Sequence, residues 1–209
     1  MFLAATGAGA IGSVIGIGGG ILITPILTLG FGVHIHYAIG ASLLVVIATS
    51  AGAAAAHVRD RLTNLRVGVV LEVASVSGAF CGAALSNHVP VSGLFVLFGT
   101  VLVVSLVPQL FKLGEELPEG VEPDALSRAL RLGSSYPDQK LGREVAYEVT
   151  RVPAGLACMF GAGTLSALLG IGSGPFKVLS MDVAMRLPMK VSSATSNFMM
   201  GVTAAATTV

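Results

Sequence analysis

Two short glycine-rich runs carry the most distinctive chemistry this chain can offer. Gly16-Ile17-Gly18-Gly19-Gly20 and Gly170-Ile171-Gly172-Ser173-Gly174 each interrupt a long apolar stretch. A glycine in a helix interior costs about 1 kcal/mol relative to alanine, so clustered glycines break a helix. A helix that restarts beyond such a break presents unpaired amide N–H groups and the positive end of a dipole worth about half a unit charge. With little side chain in the way, an anion can touch that backbone. Gly18, Gly19 and Gly20 opposed to Gly172, Ser173 and Gly174 would make an anion site without requiring a buried cation. The alternative use of these glycines is close packing between helices.

Hydroxyls and an amide form a second constellation. Ser42, Thr49 and Ser50 lie in one half of the chain, and Thr195, Ser196, Asn197 and Thr203 in the other. Such groups donate to oxyanions without the desolvation cost of a full charge. Their alternative use is hydrogen bonding between helices or back to their own helix. Asn197 is costly in a bilayer unless it faces a cavity or a partner. Lys177 follows the second glycine cluster by three positions, inside an apolar run. An ionisable residue within a membrane is a functional candidate by default, and a cation there would attract an anion. Snorkelling, or pairing with Asp182 or Glu72, is the competing reading. His57 with Arg59 and Asp60 reads as a loop-anchoring cluster, with a proton-coupling role for His57 and Arg59 left open. Lys190 and His36 sit at helix starts, at the interface. The four histidines show no metal-ligand spacing within one helix. Cys81 and Cys158 are isolated in apolar surroundings and read as buried small hydrophobes. No metal or cofactor is expected.

The elements that must position these residues follow from composition. Of 209 residues, 54% are hydrophobic and 11% charged, against about 25% charged in soluble domains. Mean hydropathy is +0.86. So few charges cannot cover a water-soluble globule, and the apolar content excludes disorder. A net charge of +1 excludes a strongly basic nucleic-acid binder. What remains is an all-α polytopic membrane protein, long enough for roughly six spans of about 20 residues. No cleavable signal peptide is evident, because Met1-Phe2-Leu3 leads into an apolar run without a basic n-region.

Apolar runs cover Phe2 to Phe31, Ala38 to Ala56, Val67 to Leu85 with Glu72 inside, Val91 to Phe111, Val152 to Met181 and Val191 to Val209. The predicted organisation is a transmembrane repeat over residues 1–111, a polar cytoplasmic linker over 112–151 and a second repeat over 152–209. Within the linker, Pro123 to Leu132 can form a short helix, and Val145, Tyr147 and Val149 alternate with polar residues as in a strand. At a constant offset of 154, Gly7-Ala8-Gly9 falls on Gly161-Ala162-Gly163, the first glycine cluster falls on the second, and Ser42 falls on Ser196. This register predicts two homologous repeats, each opening with a glycine-broken helix. Paired glycine-interrupted segments of this kind point to a transporter binding site. The second repeat ends where the first continues, which suggests a chain short by about two helices relative to a symmetric pair. Arg59, Arg61 and Arg66 in one loop and the linker's basic residues in another assign both to the cytoplasm. The broken segments cross once or re-enter as hairpins, and the repeats are parallel or inverted accordingly.

Hydrolytic motifs are missing: there is no Gly-x-Ser-x-Gly elbow, no HExxH, and no Gly-Lys-Ser/Thr continuation of the glycine run. The chain is therefore not expected to be an enzyme.

Gly16-Ile-Gly-Gly-Gly-Ile-Leu-Ile-Thr-Pro25, Gly40-Ala-Ser42 and His57-Val-Arg59, with Leu168-Leu-Gly-Ile-Gly-Ser-Gly-Pro-Phe-Lys177 and the run from Met189 to Thr203, together resemble the TauE/SafE family. That family comprises sulfite and organosulfonate exporters and is also described as an anion permease family. The resemblance covers nearly the whole chain. It implies about eight helical segments in two repeats and export of sulfite, sulfonates or related sulfur anions. Ser173 stands where the family usually has a third glycine. The implied protein sits in the cell's inner (plasma) membrane and moves a small anion by rocking one repeat against the other, driven by membrane potential or a proton gradient. A homo-oligomer is left open. A non-transporting membrane scaffold and an anion channel are the alternatives.

Overall fold

The computed structural model describes residues 20–86, 88–90, 92–97, 99–100, 103, 120–138, 141–169 and 173–207. Helix α1 (Gly20–Pro25) runs into a π turn, Ile26–Gly30. It is followed by α2 (Ile35–Arg59) and α3 (Leu65–Ser86). After α4 (Ala125–Leu130) come the strands β1 (Ser134–Asp138) and β2 (Arg143–Tyr147). Helix α5 (Val152–Leu169) precedes α6 (Gly174–Leu179), which also runs into a π turn, Ser180–Ala184, before α7 (Met189–Thr207). Residues 92–97 are helical as well. Among the described residues, α2, α3 and α5 are long and apolar enough to cross a membrane.

The side chains are distributed as a bilayer demands and water does not. Leu29, Tyr37, Val73 and Val96 are largely exposed, whereas Ser42, Ser75, Ser166, Thr195, Ser196, Asn197 and Thr203 are buried. Helix α7 is the most polar of the long helices and the most enclosed, with ten buried residues in its nineteen. The apolar outsides of α2, α3 and α5 surround it as lipid-facing surface. Cys81 and Cys158 are free but exposed on α3 and α5, which corrects their expected burial. They belong to the outward, apolar faces of their helices, where a small soft side chain needs no packing partner.

Small residues set the closest contacts. A methyl group at Gly163 would overlap the Ser75 carbonyl, and one at Gly78 would overlap the Phe160 carbonyl. Thr164 Oγ1 donates to the Gly78 carbonyl across the same seam at 3.1 Å. Gly78 meets Phe160, and Gly82, one turn on, meets Thr164 and Ala167, so α3 and α5 touch backbone to backbone and run in the same direction.

Contacts at each end fix the other directions. Gly201 of α7 faces Ser50 of α2, whereas Thr207, further along α7, lines a groove with His36 and Leu43, nearer the start of α2, so these two helices are antiparallel. Phe176 packs near Leu168 and Leu169, while Met185 lies against Gly155, and Thr150 N donates to the Met185 carbonyl at 3.3 Å. Helix α6 with its π turn thus returns along α5, and Met185 ends beside the start of α5.

The polar residues between the helices fold rather than trail. Asp124 caps α4 by accepting the Ser127 N–H at 2.8 Å, and its other oxygen accepts the Val152 N–H at 2.9 Å at the head of α5. One carboxylate thereby serves two helix N-termini, where negative charge is favoured. Strands β1 and β2 pair antiparallel from Ser134↔Tyr147 to Asp138↔Arg143, adding a hairpin to an otherwise helical chain. Tyr136 and Tyr147 turn inward and join Val67, Leu71, Met181, Met185 and Val191 in one core. Lys190, in the first turn of α7, reaches Asp138 of β1 at 3.0 Å.

Candidate functional site

The most demanding group in the bundle is Lys177. Its side chain is fully buried on α6. Nζ lies 3.3 Å from Glu72 Oε2 and also donates to Thr203 Oγ1. Thr203 in turn bonds Glu72 Oε1, and Ser75 Oγ is 3.0 Å from Thr203 Oγ1. Glu72 and Ser75 are one turn apart on α3, so both face the same neighbour. A buried ion pair persists only with good geometry and further hydrogen bonds, and the two hydroxyls supply them. An ammonium carries three N–H donors. Two are used here, and the third meets no acceptor among the described residues.

Backbone register places this cluster deep in the bundle. Asn64, just before α3, donates its N–H to Thr195 Oγ1 of α7 at 3.1 Å. Glu72 and Thr203 each lie eight residues further along the same two helices, about 12 Å deeper at helical rise. Asn64 is itself a hub. Its Oδ1 accepts the Val67 N–H at 3.1 Å and caps α3, while Nδ2 donates to the Leu132 carbonyl and Tyr147 Oη, both at 2.9 Å. Burial pushes the Tyr147 phenol above its ordinary value of 10.0, against the hydrogen bond from Asn64.

The structure brings several sequence-selected residues to Lys177. Ser173, one turn before it, is buried in a left-handed backbone conformation with φ of 50°. Its Oγ has no hydrogen-bond partner among the described residues. The Lys177 N–H donates to the Ser173 carbonyl at 3.0 Å, so the two residues are one turn apart. Ser196 Oγ donates to the Gly174 carbonyl at 3.3 Å, tying α7 to the start of α6, and Asn197 is fully buried beside it in sequence.

Other candidates are engaged elsewhere. The Thr195 hydroxyl receives the Asn64 N–H. Ser42, Thr49 and Ser50 bond back to carbonyls of their own helix, Ile39, Val45 and Ile47. His57 and Arg59 lie in the last turn of α2, and Arg59 is largely exposed and 3.6 Å from Asp60. His34 and His36 stack at 5.2 Å at the head of α2. Gly16, Gly18, Gly19, Gly170 and Gly172 lie outside the described residues, while Gly20 opens α1. No group of three or more His, Cys, Asp or Glu side chains that could hold a metal ion occurs among the described residues.

Comparison with known proteins identifies what kind of molecule this bundle is. Residues 1–209 match the Sulfite exporter TauE/SafE family. The chain belongs to the TauE/SafE family. Its TauE/SafE relatives include the probable membrane transporter protein YunE of Bacillus subtilis (strain 168), 29% identical over 91% of this chain and 69% of that protein. The probable membrane transporter protein YdhB of the same strain is 29% identical over 90% of this chain and 68% of its own length. A probable membrane transporter protein of Methanocaldococcus jannaschii, MJ0441, is 32% identical over 47% of this chain and 39% of its own. No solved structure matches the chain. As a TauE/SafE member the protein is a membrane transporter.

Proposed function

We propose that the protein carries a small sulfur oxyanion, sulfite or a sulfonate, across the plasma membrane, and that the anion binds at Lys177. The observation that carries this reading is the lysine itself. It is a fully buried cation with one N–H uncommitted among the described residues, one turn beyond Ser173, whose hydroxyl is unpartnered among the described residues. A sulfonate oxygen accepts from both kinds of donor, and the low dielectric of the site strengthens each bond. The glycine clusters would add backbone N–H groups as further donors. A groove of about 520 Å³, lined in part by His36, Leu94, Ala167 and Thr207, opens one helical turn beyond Thr203 and offers a route from the opposite side.

Alternating access by two inverted repeats is part of this proposal. Element boundaries support it. Gly20 and Gly174 open α1 and α6, Ile26–Gly30 and Ser180–Ala184 form the two π turns, and Ile35 and Met189 open α2 and α7. Each pair is separated by 154 residues, the same register as the glycine clusters. Because α2 and α7 are antiparallel, the repeats would be inverted, as rocking transporters often are.

The test is ligand-dependent thermal stability of the detergent-solubilised protein. Stabilisation by sulfite or sulfoacetate but not by chloride is expected. In vesicles, Lys177→Gln should lose anion uptake at least tenfold while its folded yield is kept within about twofold. No response to any anion, with normal folding, would leave a membrane scaffold as the better reading.

A further inference from the structure

We infer that Glu72 is the proton-carrying group of the transport step, taking up one proton as an anion replaces it at Lys177. This rests on the reading that the anion binds Lys177. The cluster holds one buried cation and one buried carboxylate, Lys177 and Glu72. An arriving monovalent anion adds an uncompensated negative charge where water cannot solvate it, which low-dielectric surroundings penalise heavily. A proton on Glu72 restores neutrality. The proton comes from solvent and binds a carboxylate oxygen. Lys177 keeps all its protons and turns the N–H formerly given to Glu72 toward the anion. One anion and one proton then move together, and the step is electroneutral.

The hydroxyls around Glu72 suit both protonation states. With Glu72 ionised, Lys177 donates to Thr203, Thr203 to Glu72, and Ser75 to Thr203, consistent with the observed contacts. With Glu72 protonated, its O–H donates to Thr203, and Thr203 donates to Ser75. A hydroxyl can reverse in this way because it is both donor and acceptor. Ser75 then accepts from Thr203 where it previously donated, so the proton on Glu72 is matched by a turn of both hydroxyls.

Few other groups compete for that proton. On the elements packed around Glu72, the charged or titratable side chains are Arg66 and Cys81 on α3, Cys158 on α5, Lys177 on α6, Asp182 on the π turn after it and Lys190 on α7, with Tyr136 and Tyr147 of the hairpin in the same core as Val67 and Leu71. Both cysteines are exposed, Arg66 is bound to the Arg131 carbonyl at 3.0 Å, and Lys190 is engaged by Asp138. Described contacts to the Glu72 carboxylate come from Lys177 and Thr203.

The experiment uses isethionate, a sulfonate whose charge stays fixed through the neutral range. Binding to the purified wild-type protein in weakly buffered solution should take up about one proton per anion, and affinity should rise about tenfold for each pH unit lowered. Glu72→Gln, which resembles the protonated acid, should bind with a flat pH profile and no proton uptake. Isethionate binding by the wild type without proton uptake would overturn the role of Glu72 and leave the anion site standing, as would unchanged uptake in Glu72→Gln. Absence of any binding to the wild type would overturn both. The wild-type proton count decides the matter even where Glu72→Gln does not fold.

Discussion

A single hydroxyl, that of Thr203, joins both members of the buried ion pair to Ser75, which makes it the most informative residue to change conservatively. Thr203→Val keeps the shape and removes the group that Lys177 and Glu72 both contact. Leaving buried charged groups short of a partner costs about 1–3 kcal/mol, so the melting temperature in detergent should fall measurably. Thr203→Ser should stay close to wild type, and equal losses in the two variants would point to the methyl group instead. Tyr147 makes a second residue-level case, at the polar end of the bundle. Its phenol is pushed up by burial, so the neutral form is favoured in the folded state. The corresponding stability is fully present below the ordinary value of 10.0 and is lost as pH climbs from there through the folded value. Tyr147→Phe strips an acceptor from one N–H of Asn64 Nδ2, costing about 1–2 kcal/mol at neutral pH. It should also flatten the alkaline loss of melting temperature seen in the wild type.

At the scale of elements, the seam between α3 and α5 is set by glycine. Gly163 and Gly78 face opposing carbonyls so closely that a methyl group overlaps them, whereas Gly52 and Gly161 have open space. Gly163→Ala and Gly78→Ala should therefore push the helices apart and cut the yield of monodisperse protein several-fold, while Gly52→Ala and Gly161→Ala should be neutral by the same size-exclusion measurement. The long helices themselves are legible in the sequence, because an apolar run of this length has no other stable fate. Boundaries such as Leu65–Ser86 fall within two residues of the runs read from composition. Lys177 is legible too, since a lysine in such a run must be explained, but sequence leaves Asp182 and Glu72 as alternative partners, and only the fold selects Glu72. What stays hidden is what pairing across long sequence distances decides. Asn64 reads as one more loop residue, although its place just before an apolar run is a helix-capping signal. The docking of Tyr136, Tyr147 and Asp138 against α3 and α7 leaves no periodic trace, because each contact is made by one residue. Thr195 and Thr203 look alike in sequence, yet one hydroxyl is taken by Asn64 and the other by the ion pair.

Among the described residues, the basic side chains other than Lys177 gather at one end of the molecule. Arg59, Arg61, Arg66, Arg128, Arg131, Arg143, Arg151, Arg186 and Lys190 all lie where α2 ends and where α3, α5 and α7 begin, together with the hairpin. Ile35, Leu94, Leu168 and Leu169 cluster at the other end, near His34, His36 and His88. An excess of Lys and Arg marks the cytoplasmic side. The consequence that separates one topology from another concerns Arg186. If α5 and α6 crossed the bilayer as one continuous span, Arg186 would emerge opposite Arg151. The bond from Thr150 N to the Met185 carbonyl instead requires both ends of this segment to share a side. Single cysteines in a Cys81→Ala, Cys158→Ala background can distinguish these arrangements, because Arg143, Arg186 and His88 are all exposed. A membrane-impermeant maleimide added to intact cells should label His88→Cys alone. Arg143→Cys and Arg186→Cys should react only after the membrane is opened. Labelling of Arg186→Cys together with His88→Cys would mean a single crossing and parallel repeats, and the proposed inverted arrangement would be lost. Labelling with Arg143→Cys places both mouths of the α5–α6 hairpin at the basic surface, with Lys177 suspended between them about 12 Å inside.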